Sequence, residues 1–198
     1  MDQIPVAWVL LRTTGVVAIA VLTLAVALGI LSPSIRTPRR RLVAISTHNA
    51  AASVGSVLLV AHVVLAVLDS FVDISPLATV VPGIAAWEPL WVGVGTVAVD
   101  LILLVLVTSW TRMRAPIVWR RVHLLAYAAL ALAWLHALVI GTDALLVRAS
   151  ALFSLAAVTF AATWRMARGP AVPDSPSPTA VRPTVPTERE PLNAGGPR

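Results

Sequence analysis

Five stretches of the chain are apolar over the roughly 20 residues that a helix needs to cross a hydrocarbon core of about 30 Å. In lipid the backbone must satisfy its own hydrogen bonds, which favours helices over open strands. Hydrophobic residues make up 58% of the chain and charged residues 12%, whereas soluble domains are roughly half apolar and a quarter charged. We therefore expect an all-α membrane protein, with a bundle of about five transmembrane helices over residues 1–168. The five stretches are Val6–Leu31, Leu42–Leu68, Leu90–Trp110, Ile117–Ile140 and Ala144–Met166.

The charged residues between these stretches predict how the chain crosses the membrane. The basic residues are all arginine, and most fall in alternate connections, which the positive-inside rule places in the cytoplasm. The remaining connections carry acidic residues, so we expect a multi-pass protein of the cell membrane with its N-terminus outside and its C-terminus in the cytoplasm. Since topology accounts for the basic charge, membrane lipid is an expected partner and nucleic acid is not. The arginines of the cytoplasmic side are Arg36, Arg39, Arg40, Arg41, Arg112, Arg114, Arg120, Arg121, Arg165 and Arg168, and the acidic residues of the outer side are Asp69, Asp73, Glu88 and Asp143.

Two segments outside the predicted helices differ in character. The connection Ser70–Glu88 is moderately apolar and contains prolines and a glycine, so we expect it to pack over the outer end of the bundle, with a re-entrant segment as the alternative. From Gly169 onward the chain holds eight of its 15 prolines among scattered polar residues. Residues 169–198 are therefore predicted to form a disordered, Pro-rich cytoplasmic tail.

Four histidines fall inside two of the predicted helices, and ionisable side chains at membrane depth mark ion, proton or cofactor sites. His48 and His62 lie on the second stretch, and His123 and His136 lie on the fourth, which runs in the same direction. By depth, His48 pairs with His123 near the cytoplasmic side and His62 with His136 near the outer side, roughly 20 Å away. Two imidazoles at each depth predict two b haems, with the inner iron held by His48 and His123 and the outer iron by His62 and His136. The chain has no cysteine, so both haems would be non-covalent.

The direction in which the imidazoles point is the stricter test of this pairing. Fourteen residues from His48 to His62 make about 3.9 helical turns, which keeps both rings on nearly one side. Thirteen residues from His123 to His136 make about 3.6 turns, which swings the second ring away from the first. The fourth stretch is therefore expected to tilt, kink or tighten locally.

Two other interpretations of the histidines remain open. Neutral imidazole is a common ligand of transition metals, so a His-lined metal-ion transporter is one alternative. Such a path usually brings carboxylates near the histidines, and Asp100 is the only acidic residue predicted well inside a helix. A lone histidine in a membrane helix is more often a packing or hydrogen-bonding residue, so a haem-free membrane scaffold is the other alternative.

The unequal histidine spacing resembles that of the haem core in the ferric reductase and NADPH oxidase superfamily. Thirteen residues lie between His48 and His62, and twelve lie between His123 and His136. The sequences WRRVH, ending at His123, and HALVIGTD, beginning at His136, are also similar to bacterial members, and the resemblance covers residues 8–166. It implies a ferric reductase-like transmembrane domain that passes electrons from a cytoplasmic donor through two bis-His haems to an acceptor on the outer face.

The resemblance also bears on how electrons would be supplied. Complete reductases of that family continue into a cytoplasmic flavin and nicotinamide domain, whereas a Pro-rich segment follows here and no G-x-G-x-x-G motif precedes a helix. We therefore expect an oxidoreductase component without its own flavin or NAD(P)H domain, and the sequence does not decide whether it is an enzyme by itself. A separate flavoprotein reductase or quinol is the expected electron donor.

Three arginines are candidate cofactor contacts. Arg12 lies in the outer half of the first stretch, where its guanidinium would meet a propionate of the outer haem or pair with Asp100; snorkelling to the interface is the alternative. Arg120 and Arg121, like Arg39 to Arg41, lie where the propionates of the inner haem would emerge, although topology alone is a sufficient reason for them. If Asp100 does not pair with Arg12, its carboxylate would orient an imidazole. The glycines interpreted as close helix packing rather than chemistry are Gly15, Gly55, Gly93 and Gly95.

Overall fold

The helices of the protein lie where the apolar stretches predict them. The structure is a computed structural model that describes residues 6–69, 72–141 and 144–169, so Asp143 and the predicted tail beyond Gly169 lie outside the described residues. Together α4 and α5 form one span, and five segments are long and apolar enough to cross a membrane, which confirms the expected all-α bundle. Within the described part, the α-helices are α1 (Val6–Leu31), α2 (Pro38–Leu68), α3 (Pro89–Trp110), α4 (Pro116–His123), α5 (Leu125–Ile140) and α6 (Ala144–Arg168).

Proline sets the start of three helices. Pro38, Pro89 and Pro116 each stand in the first turn, where the missing backbone N–H costs nothing and the fixed φ suits a helix. Because Pro38 begins α2, this helix starts before the predicted Leu42 and includes the arginines that precede it. As a result, Arg41 lies on a helix and lines the internal cavity described below.

The helix α1 is the centre of the bundle. It packs along α2 on one side and along α5 and α6 on the other, while α3 packs along α4 and α5. A buried cluster of Ile19, Trp134 and Val147 joins α1, α5 and α6. On the outward faces, large apolar side chains such as Val57 and Phe153 are 69% and 75% exposed, as a surface in contact with lipid requires.

The two ends of the bundle differ in charge. We call the end where α1 finishes and α2 begins the arginine-rich end, since it carries residues 36–41, 112–121 and 165–168. The opposite end carries Asp69 and the connection that follows it. Within the described range 72–88, Ala78 is 1% exposed and its carbonyl accepts a hydrogen bond of 2.8 Å from Thr96 Oγ1 on α3. Packing of this connection over the bundle end is therefore confirmed.

The span formed by α4 and α5 breaks directly after His123. The backbone N–H of Leu124 donates to the carbonyl of Arg121 at 3.3 Å, and the N–H of Tyr127 donates to the carbonyl of Leu124 at 3.2 Å. These bonds span three residues instead of four, so the chain is tightened as in a 3₁₀ turn. Tightening adds rotation per residue, and added rotation reduces the angle between His123 and His136 that their spacing leaves.

Candidate functional site

One internal cavity connects the two ends of the bundle. It lies between α2 and the α4–α5 span, with a volume of about 1190 Å³, and all four histidines line it. Ordinary small-molecule sites occupy roughly 300–1,000 Å³, so this cavity exceeds the space that one such ligand needs. Its lining runs from Arg41 and Arg120 at the arginine-rich end to Trp8 and Asp69 at the opposite end.

The two histidines matched by depth at the arginine-rich end lie together. The ring centroids of His48 and His123 are 6.1 Å apart, and the ring planes make an angle of 63°. Two imidazoles on opposite sides of one metal ion have centroids about 6 Å apart, because the metal–nitrogen bond is about 2.0 Å long and the ring radius adds about 1 Å. The separation therefore matches that of two imidazoles on one metal ion.

The second pair lies at the opposite end of the same cavity. His62 on α2 and His136 on α5 both line it. The cavity thus has an imidazole pair at each of two depths. This is the arrangement that matching α2 with the α4–α5 span by depth predicts.

Three of the four imidazoles are fixed in orientation by backbone carbonyls. His48 Nδ1 lies 2.7 Å from the carbonyl oxygen of Ala25, and His62 Nδ1 lies 2.9 Å from that of Leu11. His136 Nδ1 lies 2.8 Å from the carbonyl oxygen of Trp91. A carbonyl can only accept, so each Nδ1 must carry the proton and donate it. In the neutral rings Nε2 then keeps its lone pair, which is the arrangement typical of histidines that bind a metal.

The fourth imidazole is held differently. His123 Nδ1 is buried and finds no hydrogen-bond partner among the described residues. The ring of Trp119, one helical turn earlier, lies 5.3 Å from it at an interplanar angle of 39°. Trp119 Nε1 in turn donates to Ser109 Oγ on α3 at 3.3 Å. An aromatic contact therefore supports His123, whereas backbone carbonyls hold the other three imidazoles.

Glycines form the other half of these contacts, and sequence reasoning missed their part. Gly15 faces His62, Gly95 faces His136 and Gly29 faces His48, each so closely that an added Cβ would meet the ring. Gly15 and Gly95 are thus packing residues, but the side chain packed against them is an imidazole. Gly29 was not singled out at all. A usable signal was present, since Gly15 and Gly29 are fourteen residues apart, as are His48 and His62.

The structure separates the three predicted arginine contacts. Arg12 and Arg120 line the cavity, whereas Arg121 is not among the described residues that do. Arg12 also places its guanidinium 4.1 Å from the centre of the Trp8 ring. Arg41, Arg112 and Arg165 join Arg120 in lining the arginine-rich end, and sequence reasoning did not propose Arg112 or Arg165 for the site.

Asp100 is not among the described residues that line the cavity, and it does not orient an imidazole. Backbone carbonyls, not this carboxylate, accept the hydrogen bonds of His48, His62 and His136. The acidic residue that lines the cavity is Asp69, which is 9% exposed and shares the opposite end with Arg12. Among the described residues, no group of three or more metal-ligating side chains gathers in one place.

The fold and the cavity are those of a multi-pass helical membrane protein with four histidines along an internal cavity. Comparisons with protein-family models, with curated proteins and with solved structures find no match for this chain.

Proposed function

We propose that the protein is a transmembrane electron-transfer subunit that holds two non-covalent b haems. His48 and His123 would hold the haem at the arginine-rich end, and His62 and His136 would hold that at the opposite end. Arg12 and Arg120 line the cavity at these two ends and are proposed to meet haem propionates. The resemblance to the ferric reductase-like transmembrane family supports the same assignment.

The observation that carries this proposal is the geometry of the His48–His123 pair. A centroid separation of 6.1 Å suits two imidazoles on one metal ion. A porphyrin supplies four ligands of its iron, so two imidazoles from the protein would complete the coordination. A structural zinc site usually takes four protein ligands, which neither pair offers.

Each part of the chain has a definite task in this proposal. The carbonyls of Leu11, Ala25 and Trp91 orient three imidazoles, while the apolar lining between the pairs excludes water. Haem held by two imidazoles would supply a one-electron couple and would favour electron transfer over oxygen binding. One electron lost by a reduced donor at one end is gained by an oxidised acceptor at the other. No side chain is required to form a covalent bond or transfer a proton.

The direction of transfer follows from the predicted topology. If the arginine-rich end is cytoplasmic, as the positive-inside rule predicts, electrons enter at the His48–His123 pair and leave from the His62–His136 pair. A flavoprotein reductase or quinol is the proposed donor. The acceptor is proposed to lie on the outer face of the cell membrane, near the connection that packs over the opposite end.

Single histidine substitutions test the proposal. The haem content of the purified chain, measured as the pyridine haemochrome per mole of protein, is expected to fall from two to one in each of His48→Ala, His62→Ala, His123→Ala and His136→Ala. His48→Ala and His123→Ala are expected to lose the same spectral component, and His62→Ala and His136→Ala the other. Val57→Ala is the matched control, since Val57 lies on α2 between both ligands but is 69% exposed on the outward face.

Other outcomes would overturn the proposal. Protein without haem that moves metal ions across vesicle membranes would favour the transporter, and protein with neither property would favour a scaffold. Loss of both haems in every variant, with Val57→Ala intact, would contradict the division into two separate pairs.

A further inference from the structure

The same three-part contact occurs at three places in the molecule. In each, an imidazole donates its Nδ1–H to the carbonyl of one residue and packs against a glycine four residues later on the same neighbouring helix. The carbonyl and glycine are Leu11 and Gly15 for His62, and Ala25 and Gly29 for His48. They are Trp91 and Gly95 for His136.

The glycine in this contact has a physical reason. A helical side chain leans towards the N-terminus and covers the turn before its own Cα. A side chain four residues after a carbonyl would therefore stand between that carbonyl and an approaching ring. An added Cβ would lie 2.6 Å from His136 at Gly95, 2.8 Å from His62 at Gly15 and 3.3 Å from His48 at Gly29. Glycine leaves the second lone pair of the carbonyl open to the imidazole.

Heptad spacing explains why two of the contacts share one helix pair. Gly15 and Gly29 on α1 are two heptads apart, as are His62 and His48 on the antiparallel α2. Residues that repeat every seven positions stay at the contact line, or seam, between two supercoiled helices. Midway between these two contacts the large side chain lies on α1 and the glycine on α2, since Leu22 packs against Gly55. The seam therefore alternates Gly against His, Leu against Gly and Gly against His.

The fourth place lacks the glycine. Two heptads beyond Trp91 and Gly95 on α3 stand Val105 and Ser109. Ser109 Oγ donates to the Val105 carbonyl at 2.6 Å, and Thr108 Oγ1 also donates to it at 3.1 Å. The carbonyl that corresponds to that of Trp91 is thus used by hydroxyl groups, while His123 Nδ1 stays without a partner in the described part of the chain.

We propose that Gly15, Gly29 and Gly95 are positioning residues that let backbone carbonyls orient and polarise three ligand imidazoles, with His123 as the exception. This inference rests on the proposed haem function. Donation of Nδ1–H makes the imidazole a more basic ligand, which stabilises oxidised iron and lowers the midpoint potential of the site. The opposite-end site has two such ligands and the arginine-rich site has one.

Glycine-to-alanine substitutions in the full-length, haem-loaded chain test the inference. Gly15→Ala and Gly95→Ala are expected to raise the midpoint of the opposite-end component or to remove that haem, leaving the other component unchanged. Gly29→Ala meets a looser contact of 3.3 Å, so we expect a smaller upward shift confined to the arginine-rich component at full haem content. The readouts are an equilibrium redox titration and the low-spin ferric spectrum by electron paramagnetic resonance, with His62→Ala and His123→Ala proteins assigning the components.

Gly55→Ala is the matched control. Its added Cβ would meet Leu22 at 2.8 Å, as close as the contact at Gly15, on the same seam but away from any imidazole. We expect it to leave both midpoints and both spectral signals in place. An unshifted arginine-rich component in Gly29→Ala, or equal shifts in Gly55→Ala and Gly15→Ala, would overturn the positioning role while leaving two haems in the protein. Absence of haem from the unsubstituted chain would instead overturn the proposed function, and the positioning role with it.

Discussion

The two imidazole pairs consist of the same side chains but are supported in different ways. At the opposite end, His62 and His136 both donate to helix carbonyls, and each packs on a glycine. At the arginine-rich end, His48 does the same, whereas His123 rests beside Trp119 and its Nδ1 has no partner within the described residues. Equal pairs in the sequence are therefore unequal sites in the fold, because the support comes from helices other than those that carry the histidines.

Charge adds to this difference. Arg41, Arg112, Arg120 and Arg165 line the arginine-rich end, whereas Arg12 shares the opposite end with Asp69. Nearby positive charge favours the reduced form of a bound iron, since reduction lowers the charge of the site by one. The arginine-rich end also has fewer imidazoles that donate Nδ1–H to a carbonyl, which likewise favours the reduced form there. An electron should therefore be held more strongly at the arginine-rich end, and a membrane potential negative on the cytoplasmic side, worth about 2.3 kcal/mol per 100 mV, would help to drive it outward.

The largest effect on this comparison is expected from Trp119→Ala. The substitution removes the ring that lies 5.3 Å from His123, the imidazole that no carbonyl orients. We expect the haem at the arginine-rich end to fall well below full occupancy while the other haem stays bound, as measured by haem per chain. Trp110→Ala is the control, because Trp110 is 93% exposed. Equal losses of haem in the two variants would contradict the role of Trp119 in supporting His123.

The next effect in size is the difference between the two midpoint potentials. His62→Ala protein is expected to keep the arginine-rich site alone, and His123→Ala protein the opposite-end site alone. We expect the first to titrate at the higher potential by spectroelectrochemistry, because its remaining site has fewer polarised ligands and more cationic neighbours. The reverse order would break the comparison between the two ends.

The smallest effect should come from neutralising one arginine. Arg120→Gln is expected to lower the midpoint of the arginine-rich component by tens of millivolts or less, the size of a screened Coulomb interaction across about 10 Å. Arg121→Gln is a close control, since its neighbour Arg120 lines the cavity and Arg121 is not among the described lining residues. Identical shifts in both variants would show that the arginines act through net charge and not through the cavity.

The sequence predicts the helices and the depth of the histidines because both depend on local properties. Apolar length defines each span, and alternating topology places His48 level with His123 and His62 level with His136. The carbonyl partners are harder to predict, since they depend on how one helix is set against its neighbour. Gly29 was not predicted for that reason, although it lies fourteen residues from Gly15, the same spacing as between His48 and His62. At His123 the corresponding residue of α3 is Ser109, whose hydroxyl uses the carbonyl that a glycine would leave open.

The central claim is that one chain binds two porphyrins between α2 and the α4–α5 span. The most direct measurement is the ratio of haem to protein in the purified, detergent-solubilised full-length chain, combined with its low-temperature electron paramagnetic resonance spectrum. The account predicts about two haems per chain with two distinct low-spin, bis-imidazole ferric signals. A chain that carries no haem, or whose haem gives high-spin signals with an open axial position, would contradict it.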